Sequence, residues 1–144
     1  MREKLLVSAC LLGENCRYSG GNNYCPAAAA LGERYELIPV CPEVLGGLPT
    51  PRAPSERAGE RGTARDGTDV TAAFRLGAER VLETALAQGI TRAVLKERSP
   101  SCGSGQIYDG AFTGRVIPGQ GVTAELLSDR GVAVYGESRI HELL

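Results

Sequence analysis

The stretch that decides the fold is DVTAAFRLGAERVLETALAQGITRAVL, residues 69–95. Asp69 is suited to cap the start of a helix, and Gly89 is the residue type that commonly ends one. Between them, apolar residues recur at the spacing of one helix face, at Val70, Phe74, Gly77, Val81, Leu82, Ala85 and Leu86. Thr91–Leu95 follows as a short β-rich run. Residues 69–95 therefore predict a helix that leads directly into a strand.

Three more β-rich runs surround this unit, at Lys4–Ala9, Glu36–Val40 and Gly131–Tyr135. Strands that alternate with helical segments indicate an α/β fold with an open, mostly parallel sheet flanked by helices, of the Rossmann-like or flavodoxin-like three-layer kind. Pro39 has no backbone N–H, so its strand should lie at a sheet edge or end there. The other predicted elements are two shorter helices and a closing turn, at Pro26–Leu31, Thr123–Ser128 and Arg139–Leu144.

The composition predicts a single domain over residues 1–144 and excludes several functional classes. The chain has 16 Lys and Arg residues against 17 Asp and Glu residues, so it lacks the basic footprint of a non-specific nucleic-acid binder. No apolar run approaches the roughly 20 residues of a membrane-spanning helix, and residues 1–10 turn polar too soon for a signal peptide. We therefore expect a cytoplasmic protein that binds a small molecule or a protein partner, without nucleic acid or membrane.

Two long stretches do not fit regular structure, Pro42–Arg65 and Ser99–Gly121. Loops of this length in a compact domain are usually lids or binding loops. On length alone, a mobile surface excursion is an equally good interpretation. We interpret both stretches as functional loops rather than as linkers.

Three of the five cysteines follow predicted strands, namely Cys10, Cys41 and Cys102. The carboxyl ends of parallel strands share one edge of a sheet, and α/β proteins bind their ligands there. We therefore expect these three thiols to converge in space. In the cytoplasm thiols stay reduced, so converging cysteines indicate metal ligands or catalytic nucleophiles before they indicate disulfides.

Three cysteines in glycine-rich turns suit an iron–sulfur cluster with one iron left open, because soft thiolates select such clusters. A structural zinc site usually has four ligands in close pairs such as C-x-x-C, and the sequence contains no such pair. The spacing of Cys16 leaves its role open. Cys25 precedes a predicted helix start and is interpreted as a small core residue.

Several polar residues lie close to these cysteines in the sequence. Glu43, two residues after Cys41, is placed to accept a proton from water, and Ser99, three residues before Cys102, is placed to donate a hydrogen bond or a proton. Taken singly, each polar residue also fits an ordinary solvated position. His141 is the only histidine and lies near the C-terminus, so a histidine-based triad has weak support. Four further residues are expected to hold a polar substrate: Arg17, Arg52, Lys96 and Ser101.

The segment CLLGENCR, residues 10–17, also permits a different interpretation. Low-molecular-weight phosphatases and arsenate reductases carry C-x5-R after their first strand, where loop amides and the arginine cradle an oxyanion. Here Arg17 comes one residue too late, Cys16 takes its place, and Gly13 is the only glycine, so the fit is poor. A thiol-dependent enzyme of this type that uses Cys10 is one alternative, and a non-catalytic cluster or metal carrier is another.

The chain contains four longer motifs in this order: VSACLLGENCRYSGG, PVCPEVLGGLPTPR, DGTDVT and LKERSPSCGSGQIYDGAFTG. Together they resemble the motifs of the thiouracil desulfidase family, over nearly the whole chain. The resemblance implies an oxygen-sensitive [4Fe-4S] cluster held by Cys10, Cys41 and Cys102. It also implies catalytic roles for Glu43 and Ser99.

The reaction that the resemblance implies is a non-redox desulfuration of a thiolated nucleobase, of the 2-thiouracil or 4-thiouracil type. An open iron of the cluster would bind the thiocarbonyl sulfur, Glu43 would activate water, and the sulfur would leave on the cluster as sulfide. Ser99 would protonate or hold the departing pyrimidine. Ser19 stands where many members of the family have aspartate, a substitution that bears on substrate fit.

Overall fold

Strands and helices alternate along the chain in the computed structural model, which describes residues 2–144. The strands are β1 (Lys4–Ser8), β2 (Glu36–Val40), β3 (Ser55–Ala58), β4 (Arg61–Ala64), β5 (Arg92–Leu95), β6 (Gln106–Tyr108), β7 (Val116–Pro118) and β8 (Ala133–Gly136). The α-helices are α1 (Pro26–Ala30), α2 (Pro42–Leu45), α3 (Thr71–Gln88) and α4 (Val122–Asp129). Short 3₁₀ segments follow β1, α1 and β8, at Ala9–Leu12, Leu31–Glu33 and Glu137–Leu143. Among the described residues, no helix combines the length and the apolar character needed to cross a membrane.

Four strands form the central sheet in the order β2-β1-β5-β8, and every neighbouring pair runs parallel. Leu6 of β1 pairs with Ile38 on one side and with Ala93 on the other. This topology confirms the predicted α/β fold with a parallel sheet. The edge position of β2 explains how the strand accommodates Pro39, because an edge strand has one side on which an N–H needs no partner.

Helices cover both faces of the sheet and create three layers. On one face, α3 and α4 bury Leu6, Val81, Leu82, Leu95 and Leu127 among others. On the opposite face, α1 and the C-terminal 3₁₀ segment bury Leu5, Val7, Leu31, Val94 and Leu143 among others. Successive residues of a strand point to opposite faces, which is why neighbours in β1 belong to different clusters. Complete burial of each such Leu or Val contributes about 1.5–3 kcal/mol relative to exposure.

The helix predicted from residues 69–95 is present as α3. It ends at Gly89, whose φ of 67° lies in the left-handed region that glycine adopts without a steric penalty. At the other end Val70 is the cap residue, and the Asp69 carboxylate accepts a hydrogen bond from the Thr71 N–H at 2.9 Å. Asp69 therefore accepts a hydrogen bond from an N–H of the first helical turn. It does so from one residue before the cap position, which Val70 occupies.

The two stretches predicted to lack regular structure contain short elements. Pro42–Arg65 includes α2 and the antiparallel hairpin β3–β4, and Ser99–Gly121 includes the antiparallel hairpin β6–β7. Each of these helices and strands has only three or four residues. Elements this short contain too few residues for an apolar period to be visible in the sequence.

α2 approaches α3 so closely that the contact requires glycine at position 77 of α3 and at position 46, directly after α2. A Cβ on Gly77 would lie 1.9 Å from the Pro42 carbonyl oxygen, and a Cβ on Gly46 would lie 2.0 Å from the Ala73 carbonyl oxygen. The obstructing atoms belong to the backbone and cannot rotate away. The contact therefore fixes the segment 41–43, which includes two predicted site residues, against the long helix α3.

Gly77→Ala should destabilise the protein by about 1–3 kcal/mol or more, because the added methyl group collides with the backbone of α2. Gly32→Ala is the matched control, since its Cβ would meet only the Leu37 side chain at 3.5 Å, an ordinary contact. Chemical denaturation of both variants measures the difference in the free energy of unfolding. Equal stability of the two variants would contradict the requirement for glycine at this contact.

Candidate active site

A cavity of about 640 Å³ opens where the strands of the sheet end. Its walls come from the residues directly after β1, β2 and β5, from the start of α2 and from both hairpins. Cys10, Cys41 and Cys102 all line it. The structure thus brings together the three cysteines that were expected to converge at this edge.

The chain after each strand places one cysteine at the cavity. Cys10 lies in the 3₁₀ segment after β1, and its Sγ accepts a hydrogen bond from the Asn23 side-chain amide at 3.4 Å. Cys41 is the cap residue of α2. Cys102 is only 5% exposed, and its N–H donates to the Ser99 hydroxyl oxygen at 3.1 Å. The three thiols are therefore held by backbone that is itself ordered.

The loop that carries Cys102 is pressed against the start of α4. A Cβ on Gly121 would lie 2.3 Å from the Ser101 carbonyl carbon and 2.6 Å from the Cys102 nitrogen. The Ser101 carbonyl oxygen accepts a hydrogen bond from the Thr123 N–H at 2.8 Å. This close packing buries the loop and fixes the position of the Cys102 thiol.

Cys16, whose role the sequence left open, joins the same group of thiols. Its single S–H lies within reach of the thiols of Cys10 and Cys41 and can donate to one of them at a time, and its carbonyl oxygen lies 3.9 Å from the Cys41 sulfur. Cys25 instead packs against the apolar cluster beneath α1, as expected for a small core residue. Four of the five cysteines therefore face one cavity.

The hydrogen bonds from Cys16 are the main reason why two neighbouring thiols are acidic. They lower the pKa of Cys10 to about 7 and the pKa of Cys41 to about 6. The Val44 N–H and the Arg52 guanidinium lower the pKa of Cys41 further. The same bonds raise the pKa of Cys16, and burial raises the pKa of Cys102. At neutral pH Cys41 is thus mostly thiolate and Cys10 is partly so, and thiolate is the form that ligates metals.

Glu43 lies in the first turn of α2 with its carboxylate held from two sides. The Arg52 Nε donates to Oε1 at 3.0 Å, and the Ser101 hydroxyl donates to Oε2 at 3.2 Å. The Glu43 side chain is 15% exposed and lines the cavity. The carboxylate is therefore oriented before any ligand binds.

Ser101 and Arg52 were both expected to bind substrate, and the structure gives both of them protein partners. Ser101 is 1% exposed and lies behind Glu43 rather than on the cavity wall. All three guanidinium nitrogens of Arg52 donate to protein atoms, including the Cys16 carbonyl oxygen at 2.9 Å. In this arrangement both residues position the Glu43 carboxylate.

Ser99 lines the cavity and organises the loop of Cys102. Its hydroxyl oxygen accepts the N–H groups of Ser101 and Cys102, both at 3.1 Å. These two bonds use only the lone pairs of the oxygen. The hydroxyl hydrogen of Ser99 therefore remains available as a donor to a ligand.

Arg17 and Lys96 also line the cavity. The Arg17 guanidinium carbon lies 5.4 Å from the centroid of the Tyr18 ring, and the Lys96 ammonium pairs with Glu137 at 3.1 Å. His141 is exposed in the C-terminal 3₁₀ segment and is not one of the cavity-lining residues. The weak support for a histidine-based triad is consistent with this position.

Several residues that line the cavity were not predicted from the sequence, and most of them lie in the long stretches 42–65 and 99–121. They are Tyr18, Asn23, Glu56, Arg65, Arg98, Tyr108 and Phe112. Both long stretches were expected to be functional loops, but the strand pairing within each hairpin decides which side chains face the cavity. Two of the aromatic residues stand in the motif QIYDGAFTG, and that motif was the available signal.

The thiols that line the cavity are soft donors of the kind that iron–sulfur clusters select. Within residues 2–144, no three His, Cys, Asp or Glu side chains lie close enough together to hold one metal ion. A cubane iron–sulfur cluster distributes its ligands over separate irons, so its cysteines lie further apart than those around one zinc ion. Thiolate donors on one wide cavity therefore match an iron–sulfur cluster.

These observations define the class as a three-layer α/β protein with a thiol-lined cavity at the carboxyl edge of its parallel sheet. Residues 5–139 match the model of the 2-thiouracil desulfurase family, and the chain belongs to that family. This match confirms the resemblance drawn from the four sequence motifs.

Two relatives cover nearly the whole chain. The uncharacterised protein YbbK of Bacillus subtilis (strain 168) is 41% identical over 150 residues, covering 97% of this chain and 99% of YbbK. A solved structure of the [4Fe-4S]-dependent thiouracil desulfidase TudS is 50% identical and has a TM-score of 0.94, covering 99% of this chain and 95% of that chain. The fold is therefore that of the TudS structure.

Replacing Cys16 with valine should make the neighbouring thiols less acidic. Without its hydrogen bonds, the pKa of Cys41 in the cluster-free protein should rise from about 6 toward the roughly 8.5 of a free thiol. The ultraviolet absorbance of thiolate, followed against pH, measures this change. Cys25→Val serves as the control: it removes one thiol from the total absorbance change and should keep the thiolate step of Cys41 near pH 6. An unchanged titration in Cys16→Val would contradict the assigned hydrogen bonds.

Proposed function

We propose that this protein is a [4Fe-4S]-dependent enzyme that desulfurates a thiolated pyrimidine of the 2-thiouracil or 4-thiouracil type. The observation that carries the proposal is the meeting of three strand-end cysteines with Glu43 on one cavity. Membership of the 2-thiouracil desulfurase family supports it. So does the likeness to TudS, which is described as a [4Fe-4S]-dependent thiouracil desulfidase.

Cys10, Cys41 and Cys102 are the residues that would hold the cluster. The acidity of the first two thiols and the fixed backbone around the third favour ligation. When bound, the cluster supplies an iron without a protein ligand, a Lewis acid that accepts the sulfur of a thiocarbonyl group. Cys16 supports this set by its contacts with two of the ligands.

Glu43 is the general base in this proposal. Its hydrogen bonds from Arg52 and Ser101 fix the carboxylate and leave lone pairs free to accept a proton from water. The oxygen of that water forms the new bond to carbon, and the carbon–sulfur bond breaks. In sum, C=S and H₂O become C=O and H₂S, so no electrons are exchanged with an external redox partner.

Ser99, Arg17 and Lys96 are the proposed contacts to the pyrimidine. The Ser99 hydroxyl is oriented by two backbone N–H groups and keeps its own hydrogen for a ring nitrogen or oxygen. The two cations line the same cavity and suit polar groups on the substrate. Arg52 is assigned to Glu43 instead, because protein atoms accept from all of its guanidinium nitrogens.

Anaerobic reconstitution should load about four irons and four sulfides per chain, as for other [4Fe-4S] proteins. Cys102→Ala should lose the cluster, because two remaining ligands cannot retain it, whereas the control Cys25→Ala should keep it. Iron and acid-labile sulfide analysis together with the visible spectrum measure the loading. Full loading of Cys102→Ala would remove that cysteine from the ligand set. A wild-type protein that retains no iron would favour thiol chemistry at Cys10.

Glu43→Gln should lower the rate of sulfide release from 2-thiouracil or 4-thiouracil by about 10²–10⁴-fold, the usual contribution of a general base. The amide keeps the size of the side chain, so the cluster content should match that of the wild type. Glu79→Gln, on the exposed side of α3, is the control. Full activity of Glu43→Gln with an intact cluster would exclude this residue as the base. A loaded wild type that releases no sulfide would favour a non-catalytic cluster carrier.

A further inference from the structure

One carboxylate, that of Glu56, connects the two long stretches Pro42–Arg65 and Ser99–Gly121 by hydrogen bonds. Oε1 of Glu56, in β3, accepts hydrogen bonds from the Gly110 N–H at 3.0 Å and from the Phe112 N–H at 3.1 Å. The accepting residue belongs to the first hairpin, and both donors belong to the turn between β6 and β7. Glu56 itself lines the cavity.

The turn after β6 is packed tightly against the first hairpin. A Cβ on Gly110 would lie 2.7 Å from the Ala58 Cβ, and the φ of 97° at Gly110 also favours glycine. Phe112 has a φ of 57°, in the left-handed region that residues with side chains rarely occupy. A backbone held in such a region persists only where its surroundings fix it, and such positions cluster at ligand sites. The two bonds to Glu56 provide that fixation.

The backbone conformation places an aromatic ring on the cavity. Phe112 is half-buried and lines the same cavity as the thiols, together with Tyr108. The Arg65 guanidinium carbon lies 5.8 Å from the centroid of the Phe112 ring, and Arg65 is also a lining residue. Glu56 therefore fixes the backbone of Phe112 by a hydrogen bond, and Arg65 stabilises the ring by a cation–π contact.

We propose that Phe112 contacts the substrate and contributes to specificity for a planar heteroaromatic base, and that Glu56 is the residue that positions it. This inference rests on the proposed function, because the base is the thiolated pyrimidine. Bases stack on aromatic side chains through their flat faces. A rigid ring selects planar substrates over saturated thiocarbonyl compounds, since only a planar compound covers the ring face.

If Glu56 acts through Phe112, the two residues must depend on each other energetically. Removing the carboxylate releases the turn and with it the ring, so Glu56→Ala should lose the same contact that Phe112→Ala loses. A double-mutant cycle tests this dependence directly. If the carboxylate merely stabilised the fold, or contacted the substrate itself, the losses of affinity in the two single variants would multiply in the double variant.

The experiment measures equilibrium binding of 2-thiouracil by calorimetry to the cluster-loaded protein in a Glu43→Gln background, where slow turnover leaves the ligand intact, and sulfide release is measured in parallel with Glu43 present. Glu56→Ala and Phe112→Ala should each weaken binding about 10-fold, in line with the value of one base–aromatic stack. The double variant should bind no more weakly than Phe112→Ala alone. Glu60→Ala is the control, because this carboxylate lies in the same hairpin and pairs with Arg75, at 3.6 Å, on the exposed surface.

Two conservative variants guard against a loss of fold. Glu56→Gln keeps an acceptor oxygen for the two N–H groups and should bind 2-thiouracil within about threefold of the wild type. Phe112→Leu keeps apolar bulk without a flat face and should bind as weakly as Phe112→Ala.

Effects of Glu56→Ala and Phe112→Ala that multiply, or wild-type affinity in either variant, would overturn the inference. If the wild type binds 2-thiouracil but releases no sulfide, the proposed function fails and the inference on Phe112 stands. If the wild type releases sulfide while both alanine variants bind as tightly as it does, the inference fails and the proposed function stands.

Discussion

The parallel pairing of β1 with β2 on one side and with β5 on the other is the constraint on which the cavity depends. Parallel strands end at the same edge, so the residues that follow them meet there although they are far apart in the chain. Cys10, Cys41 and the loop of Cys102 reach one cavity for this reason. Hydrophobic burial on both faces keeps the sheet rigid, and Cys102 belongs to one of the two buried clusters while Cys10 packs against the other.

Close backbone contacts then fix the positions of the segments that meet at this edge of the sheet. Gly77 allows α2 to lie directly against α3, and Gly121 allows the loop of Cys102 to lie against α4. In both places the absence of a side chain lets a segment with site residues rest on a longer element. Glu43 and Cys102 are thus supported by α3 and α4, helices whose residues do not line the cavity. Rigid support of this kind is what precise orientation of reactive groups requires.

The sequence predicted the fold where its signals were long and periodic, and it predicted the cavity where strand ends could be located. α3 and the four strands of the sheet fall into the first group, and the convergence of the cysteines falls into the second. The hairpins were missed because strands of three or four residues show no period. The contacts of Cys16, the burial of Ser101 and the hydrogen bonds of Glu56 depend on side-chain packing between distant segments. Spacing along the chain contains no information of that kind.

Arg52 has a consequence beyond the orientation of one carboxylate. Its guanidinium donates to Glu43 and also to the carbonyl oxygen of Cys16, so a single side chain joins α2 to the segment 10–17. Two elements that share a rigid connection cannot be ordered independently. Whatever restrains the segment 10–17 also restrains the Glu43 carboxylate, and thermodynamic reciprocity requires the converse. One guanidinium therefore connects the backbone of the segment that carries Cys10 and Cys16 with the carboxylate on α2.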